Sequence, residues 1–219
     1  MRVIKLTDPK TFLYPLKTLS DNKPKAYLRR HEENGNKPKF SYIHADRITL
    51  GLPPGLTLND FLPHKYYEAL EKISASRNGE SVEIWVCEGA KDTNSAIDMG
   101  VTAIGIWSAN CIPSADCFKK IITAAQENNS TIEWILCPDY DPPGQKSMDK
   151  VKNILLDLEQ FVNMTNHEHF PEPVASGAGI ADLPKGFELR KLVDKPPPDT
   201  PKKDKGKKDK GQGHGVEYA

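Results

Sequence analysis

The chain has 219 residues, 37% of them hydrophobic, and its 30 basic and 30 acidic side chains cancel to a formal net charge of zero. That length buries one moderate core with room for a small second lobe. No stretch approaches the ~18 apolar residues of a membrane span, and the N-terminus lacks a basic segment followed by an apolar one, so no membrane association and a cytoplasmic location are expected. The four cysteines form no C-x-x-C pair, which argues against a zinc ribbon or a stapled secreted domain and for buried, reduced thiols. The neutral total conceals a pattern: residues 1–80 hold 14 basic and 9 acidic side chains, 81–170 hold 6 and 13, and 171–219 hold 10 and 8. An acidic centre between basic flanks suits a protein that holds cations centrally and phosphates at its rim.

Val3–Leu6, Phe40–Ile43 and Ile48–Leu50 read as short strands, with a Gly-centred hairpin loop over 33–39. Lys23, Lys25, Arg29, Arg30, Lys37 and Lys39, with Tyr27 and Tyr42 among them, make a basic patch with aromatics suited to tracking a single nucleic-acid strand. A solvated, loop-rich face is the competing account. Residues 63–76 predict a helix from the spacing of Tyr67, Leu70 and Ile73. Val82–Cys87, rich in β-branched and aromatic residues, reads as a buried strand that delivers Glu88 and Gly89 at its end. A short helix over 93–99, a strand over 102–106 and a helix capped by Ser114 follow.

Ile132–Cys137 repeats the strand device and delivers Asp139 and Asp141 ahead of Pro142, Pro143 and Gly144. The strongest apolar helix period runs from Gln145 to Val162. Strand and helix in alternation imply a parallel sheet flanked by helices, with ligands at the carboxyl ends of its strands. A further strand is either degenerate, near Phe170 or Val174, or missing, and a last helix is expected over 186–193. From Asp194 the Pro, Lys, Asp and Gly composition predicts a disordered tail.

Side chains two apart on extended backbone point the same way, so Asp139 and Asp141 converge, and Glu88 joins them if the two strands are neighbours. Three carboxylates together need a cation, and hard oxygen ligands suit Mg²⁺ or Mn²⁺. Taken singly, each has a plainer role: Glu88 capping the helix after its strand, the aspartates forming a turn before Pro-Pro-Gly. His167-x-His169 lacks further zinc ligands, Trp85 and Trp134 read as packing residues, and the glycines of 211–215 lack the strand and the Lys-Ser/Thr of a phosphate-binding loop.

The run Glu88-Gly89-Ala90-Lys91-Asp92 with Ala96 and Gly100, followed by Asp139-x-Asp141-x-x-Gly144, resembles the Toprim domain of bacterial-type primases, topoisomerases and some nucleases, over about residues 82–163. The segment with Pro24, Lys25 and Tyr27 is more loosely similar to the lobe that precedes Toprim in plasmid and phage primases. The resemblance implies an α/β Toprim-type sheet over 81–193, a small basic α+β lobe over 1–80 and the tail over 194–219. It further implies Mg²⁺- or Mn²⁺-dependent nucleotidyl transfer, with Glu88, Asp139 and Asp141 as metal-binding and catalytic residues and Gly89, Lys91, Asp92 and Gly144 in support. The activity it points to is primer synthesis on single-stranded DNA from nucleotides, with a replicative helicase acting in trans. A Mg²⁺-dependent nuclease and a noncatalytic nucleic-acid-binding replication accessory protein are the alternatives.

Overall fold

The computed structural model describes residues 11–31, 39–46, 49–171 and 175–194. The expected strand over 3–6, Lys37 with its loop, Ile48, Val174 and the expected tail from 195 onward lie outside them. Two sheets organise the rest. β1 (Thr11–Thr18), β2 (Asp21–His31) and β3 (Lys39–His44) form an antiparallel sheet in that order. β4 (Ser81–Glu88), β5 (Ala103–Ile106), β6 (Thr131–Cys137) and β7 (Val162–Met164) form a parallel sheet in the order β5-β4-β6-β7.

The parallel sheet is buried on both faces, and the alternation of its side chains assigns each face a separate core. Val82, Ile84 and Val86 of β4, with Trp134 and Leu136 of β6, meet α1 (Tyr66–Ser74), α3 (Ala115–Glu127) and α4 (Pro142–Asp157). Phe118 stands edge-on to Trp134 at 5.6 Å between ring centres. Trp85 and Cys87, with Ile135 and Cys137, face α2 (Gly89–Asp98) and the late segment carrying Ile180, Leu183, Leu189 and Leu192. Trp85 and Trp134 are fully buried and all four cysteines are buried free thiols, as expected.

Five elements depart from the sequence expectation, beginning with β1 and β2, where the sequence predicts no strand. The fourth strand is Val162–Met164, opening on the residue where the long helix is expected to end; α4 stops at Asp157, and Glu159 turns the chain at φ 58°. The last element is a single 3₁₀ turn over Leu189–Leu192 in place of a helix. Thr49 and Leu50 form no strand, and Leu50 makes an isolated bridge to Ile43. Among the described residues, no helix is long and apolar enough to cross a membrane.

The antiparallel sheet sits over the carboxyl ends of the parallel strands. Its Leu16, Ala26 and Leu28 pack with Ala90, in the first turn of α2, and with Trp107 just past β5. That contact leaves an open cleft of about 530 Å³ between the two sheets.

Candidate metal centre

In the order β5-β4-β6-β7 the chain leaves β4 to one side and returns past it to build β6 on the other, so the crevice of an open α/β sheet falls between the ends of β4 and β6. Cys87 and Cys137 are register partners there, so Glu88 and Asp139 leave neighbouring strands at nearly the same level. Asp92, in the first turn of α2, and Asp182, in a 3₁₀ turn over Ile180–Asp182, complete the acidic rim with Asp141.

Their burial and mutual repulsion favour the protonated forms. Burial first, then the charges of Asp92, Glu88, Asp141 and Asp182, push the Asp139 carboxyl up to about 8. Burial likewise raises Glu88 against a hydrogen bond from Ser147, with Asp141 and Asp92 adding to the rise. Asp92 is raised by burial although it accepts the Ala181 N–H at 2.7 Å.

The plainer roles of these acids divide. Glu88 sits at the N-cap of α2 yet makes no side-chain capping bond; it accepts Ser147 Oγ at 3.2 Å and the Ala109 N–H, and so projects toward the site. Asp141 does cap α4, accepting the Gly144 N–H at 2.7 Å through one oxygen, ahead of Pro142 and Pro143 in the first turn. Its other oxygen faces Gly177. Asp141→Ala should therefore cost about 1 kcal/mol of stability through the lost cap. Asp141→Asn keeps an oxygen for Gly144 and should melt with the parent while losing affinity for Mn²⁺; thermal unfolding and Mn²⁺ titration of both variants check this separation.

Two glycines shape the site by what they lack. A Cβ on Gly144 would lie 2.7 Å from the Asp139 carbonyl oxygen and 2.9 Å from its nitrogen, so only glycine lets α4 start this close to Asp139. A Cβ on Gly179 would lie 2.5 Å from Asp92 Oδ1 and 2.7 Å from Asp139 Oδ1, which places both oxygens around one point. Gly179 belongs to a late segment clamped on the aspartate loop by Tyr140 N–H to the Ala178 carbonyl and Gly177 N–H to the Tyr140 carbonyl, at 2.8 and 2.9 Å. Sequence reasoning did not place this segment in the site. Its signal in the sequence is the run Gly177-Ala178-Gly179 leading to Asp182. Gly89 takes φ +80°, the turn expected beside Glu88.

As the side chains stand, among the described residues no three His, Cys, Asp or Glu groups are close enough to grip an ion. The donor chemistry nevertheless fits one: several carboxylates share a partly buried space, and hard oxygens answer to a hard divalent cation. Lys91 stands 3.5 Å from Asp182, but that pair is about half exposed and weak.

The expected basic patch divides between two faces. Lys23, Lys25 and Arg29 share one parity of β2 and Arg30 the other, so Arg30 lines the cleft and Arg29 turns away to Ser41 at 2.9 Å. Lys39 opens β3. His167 and His169 also part: His167 Nε2 is 3.0 Å from the Pro138 carbonyl, between Tyr140 and Phe170, while His169 meets Asp194.

No protein-family model matches the chain, and no curated protein matches it in sequence. Among solved structures it is similar to a chain in the bacteriophage T7 lagging-strand DNA polymerase interacting with primase domains of two gp4 subunits bound to an RNA/DNA hybrid and dTTP. The identity is 16% and the TM-score 0.33, over 70% of this chain and 68% of that one. Likeness at that level assigns no role to any residue.

Proposed function

We propose that this chain acts on nucleic acid by divalent-metal-dependent phosphoryl transfer, as a primase-like protein of Toprim type that joins nucleotides on a single-stranded DNA template. The observation that carries the reading is the gathering of Glu88, Asp92, Asp139, Asp141 and Asp182 at the β4/β6 crevice, with four of these acids acting on Asp139. The cleft that receives Glu88, Asp92, Asp139 and Asp182 is walled opposite by aromatic side chains and Arg30. The motif resemblance of residues 82–163 points the same way.

Glu88, Asp139 and Asp141 would hold Mg²⁺ or Mn²⁺. Once bound, such an ion neutralises charge on a phosphoryl group and favours the attacking oxygen. The chain's own groups do the rest. Asp139, protonated near neutral pH without a cation, gives up its proton on loading. Ser147 fixes the Glu88 carboxylate, and Asp92 stays tied to the Ala181 N–H at the edge of the site. Arg30 and Lys91 stand where they can steer phosphates, and Tyr42 and Trp107 line the cleft beside them.

Incubated with single-stranded DNA, labelled ribonucleotides and Mg²⁺ or Mn²⁺, the full chain should yield short primers that disappear with EDTA and with Glu88→Gln. Shortening of a labelled strand without nucleotides would assign cleavage in place of synthesis. Metal affinity with neither product would assign an accessory role and overturn the enzymatic reading.

A further inference from the structure

The antiparallel sheet carries a second feature that the acidic site does not use. The registers β1 to β2 and β2 to β3 align Phe12, Arg30 and Phe40 in one row across all three strands. Directly opposed residues stand with Cβ atoms about 5 Å apart on one face, so the arginine lies between two phenyl rings. Both rings face solvent, Phe12 at 44% and Phe40 at 57% exposure, whereas the next rows inward hold the buried Leu28, Leu16 and Ala26. Arg30 and Phe40 also line the cleft that runs to Glu88 and Asp139.

We propose that Phe12, Arg30 and Phe40 form a base-stacking platform for a single DNA strand at the mouth of this cleft. An exposed aromatic pair on a sheet is costly to keep in water and flat in shape. Unpaired bases are flat on both faces and stack on rings and on guanidinium planes alike. A central cation disfavours an apolar helix or a lipid, and it answers the phosphate that follows every base. A duplex hides its base faces inside the stack and leaves the rings unmatched. The proposal rests on the cleft being a nucleic-acid site and not on the metal chemistry.

The test is fluorescence anisotropy of the full chain with a labelled single-stranded oligodeoxynucleotide of mixed sequence and with an abasic strand of equal length. The parent should prefer the base-bearing strand. Phe12→Leu and Phe40→Leu, which keep an apolar side chain without a ring, should each weaken it roughly tenfold and leave the abasic strand unaffected. Phe40→Tyr should restore binding, and Arg30→Ala should lower the dependence of log affinity on log salt by about 0.7, which the leucine variants should not. Circular dichroism checks that the leucine variants remain folded. Equal binding of both strands by the parent, or leucine variants that keep the parent's preference, would overturn the platform. Loss of Mn²⁺ binding or turnover with the base preference intact would strike the phosphoryl-transfer reading and leave the platform standing.

Discussion

Asp139→Asn should lower the proposed metal-dependent turnover by roughly 100-fold or more, since it removes a charged oxygen from the centre of the proposed cation site. The same change should make the metal-free chain more stable at pH 8. In the fold the carboxyl titrates at about 8, against ~3.9 in an unfolded chain. Between those values the folded state holds a proton that the unfolded state has shed. The group's contribution is therefore complete below about pH 4 and is lost as pH rises through 8. That gap corresponds to at most about 6 kcal/mol, and partial access of water to the carboxyl leaves roughly 2–3 kcal/mol.

Asparagine keeps the shape and removes the charge. Scanned in EDTA at pH 8, the variant should melt roughly 5 °C above the parent, and the difference should vanish near pH 4. Millimolar Mg²⁺ should raise the parent and not the variant. A variant less stable than the parent at every pH would show that the acidic rim is not under the repulsion described.

Gly144→Ala sets two effects against each other. Alanine favours a helix interior by about 1 kcal/mol over glycine, and Gly144 lies in the first turn of α4. The new methyl, however, would meet backbone, 2.7 Å from the Asp139 oxygen and 2.9 Å from its nitrogen, and backbone here is held by the clamp to Ala178. Overpacking of that kind typically costs 1–3 kcal/mol. Because the obstruction is main chain, the upper half of that range should outweigh the propensity gain and leave the variant roughly 1–2 kcal/mol less stable. Relief comes by pushing the Asp139–Asp141 loop outward, so turnover should fall with stability. Urea unfolding with a parallel activity assay measures both, and a variant as stable and active as the parent would refute the close approach.

The strands that carry the candidate site were legible because they are long, apolar and bounded by acids and glycine: β4 and β6 fall where Val82–Cys87 and Ile132–Cys137 placed them, and Glu88 and Asp139 leave them side by side. The antiparallel sheet was harder. β1 and β2 each carry a proline, which a central strand disfavours, yet Pro15 lies on edge strand β1, where a missing N–H is tolerated. Pro24 lies in central β2 but before Ala26, where pairing with β3 begins, and beside the irregularity between Leu16 and Thr18. β7 was lost because Phe161 and Val162 continue the apolar period of α4; only the turn at Glu159 separates them. Asp182 and Gly179 reach the site through tertiary contacts with the aspartate loop, which no local period encodes.

Direct titration of the full chain with Mn²⁺, followed by the loss of the free-ion electron paramagnetic resonance signal, addresses the proposed shared cation itself. The account predicts saturable binding by the parent that weakens at least tenfold in Glu88→Gln, Asp139→Asn and Asp141→Asn, with all three variants folded. Binding by the three variants equal to the parent's, or no binding by the parent, would contradict it.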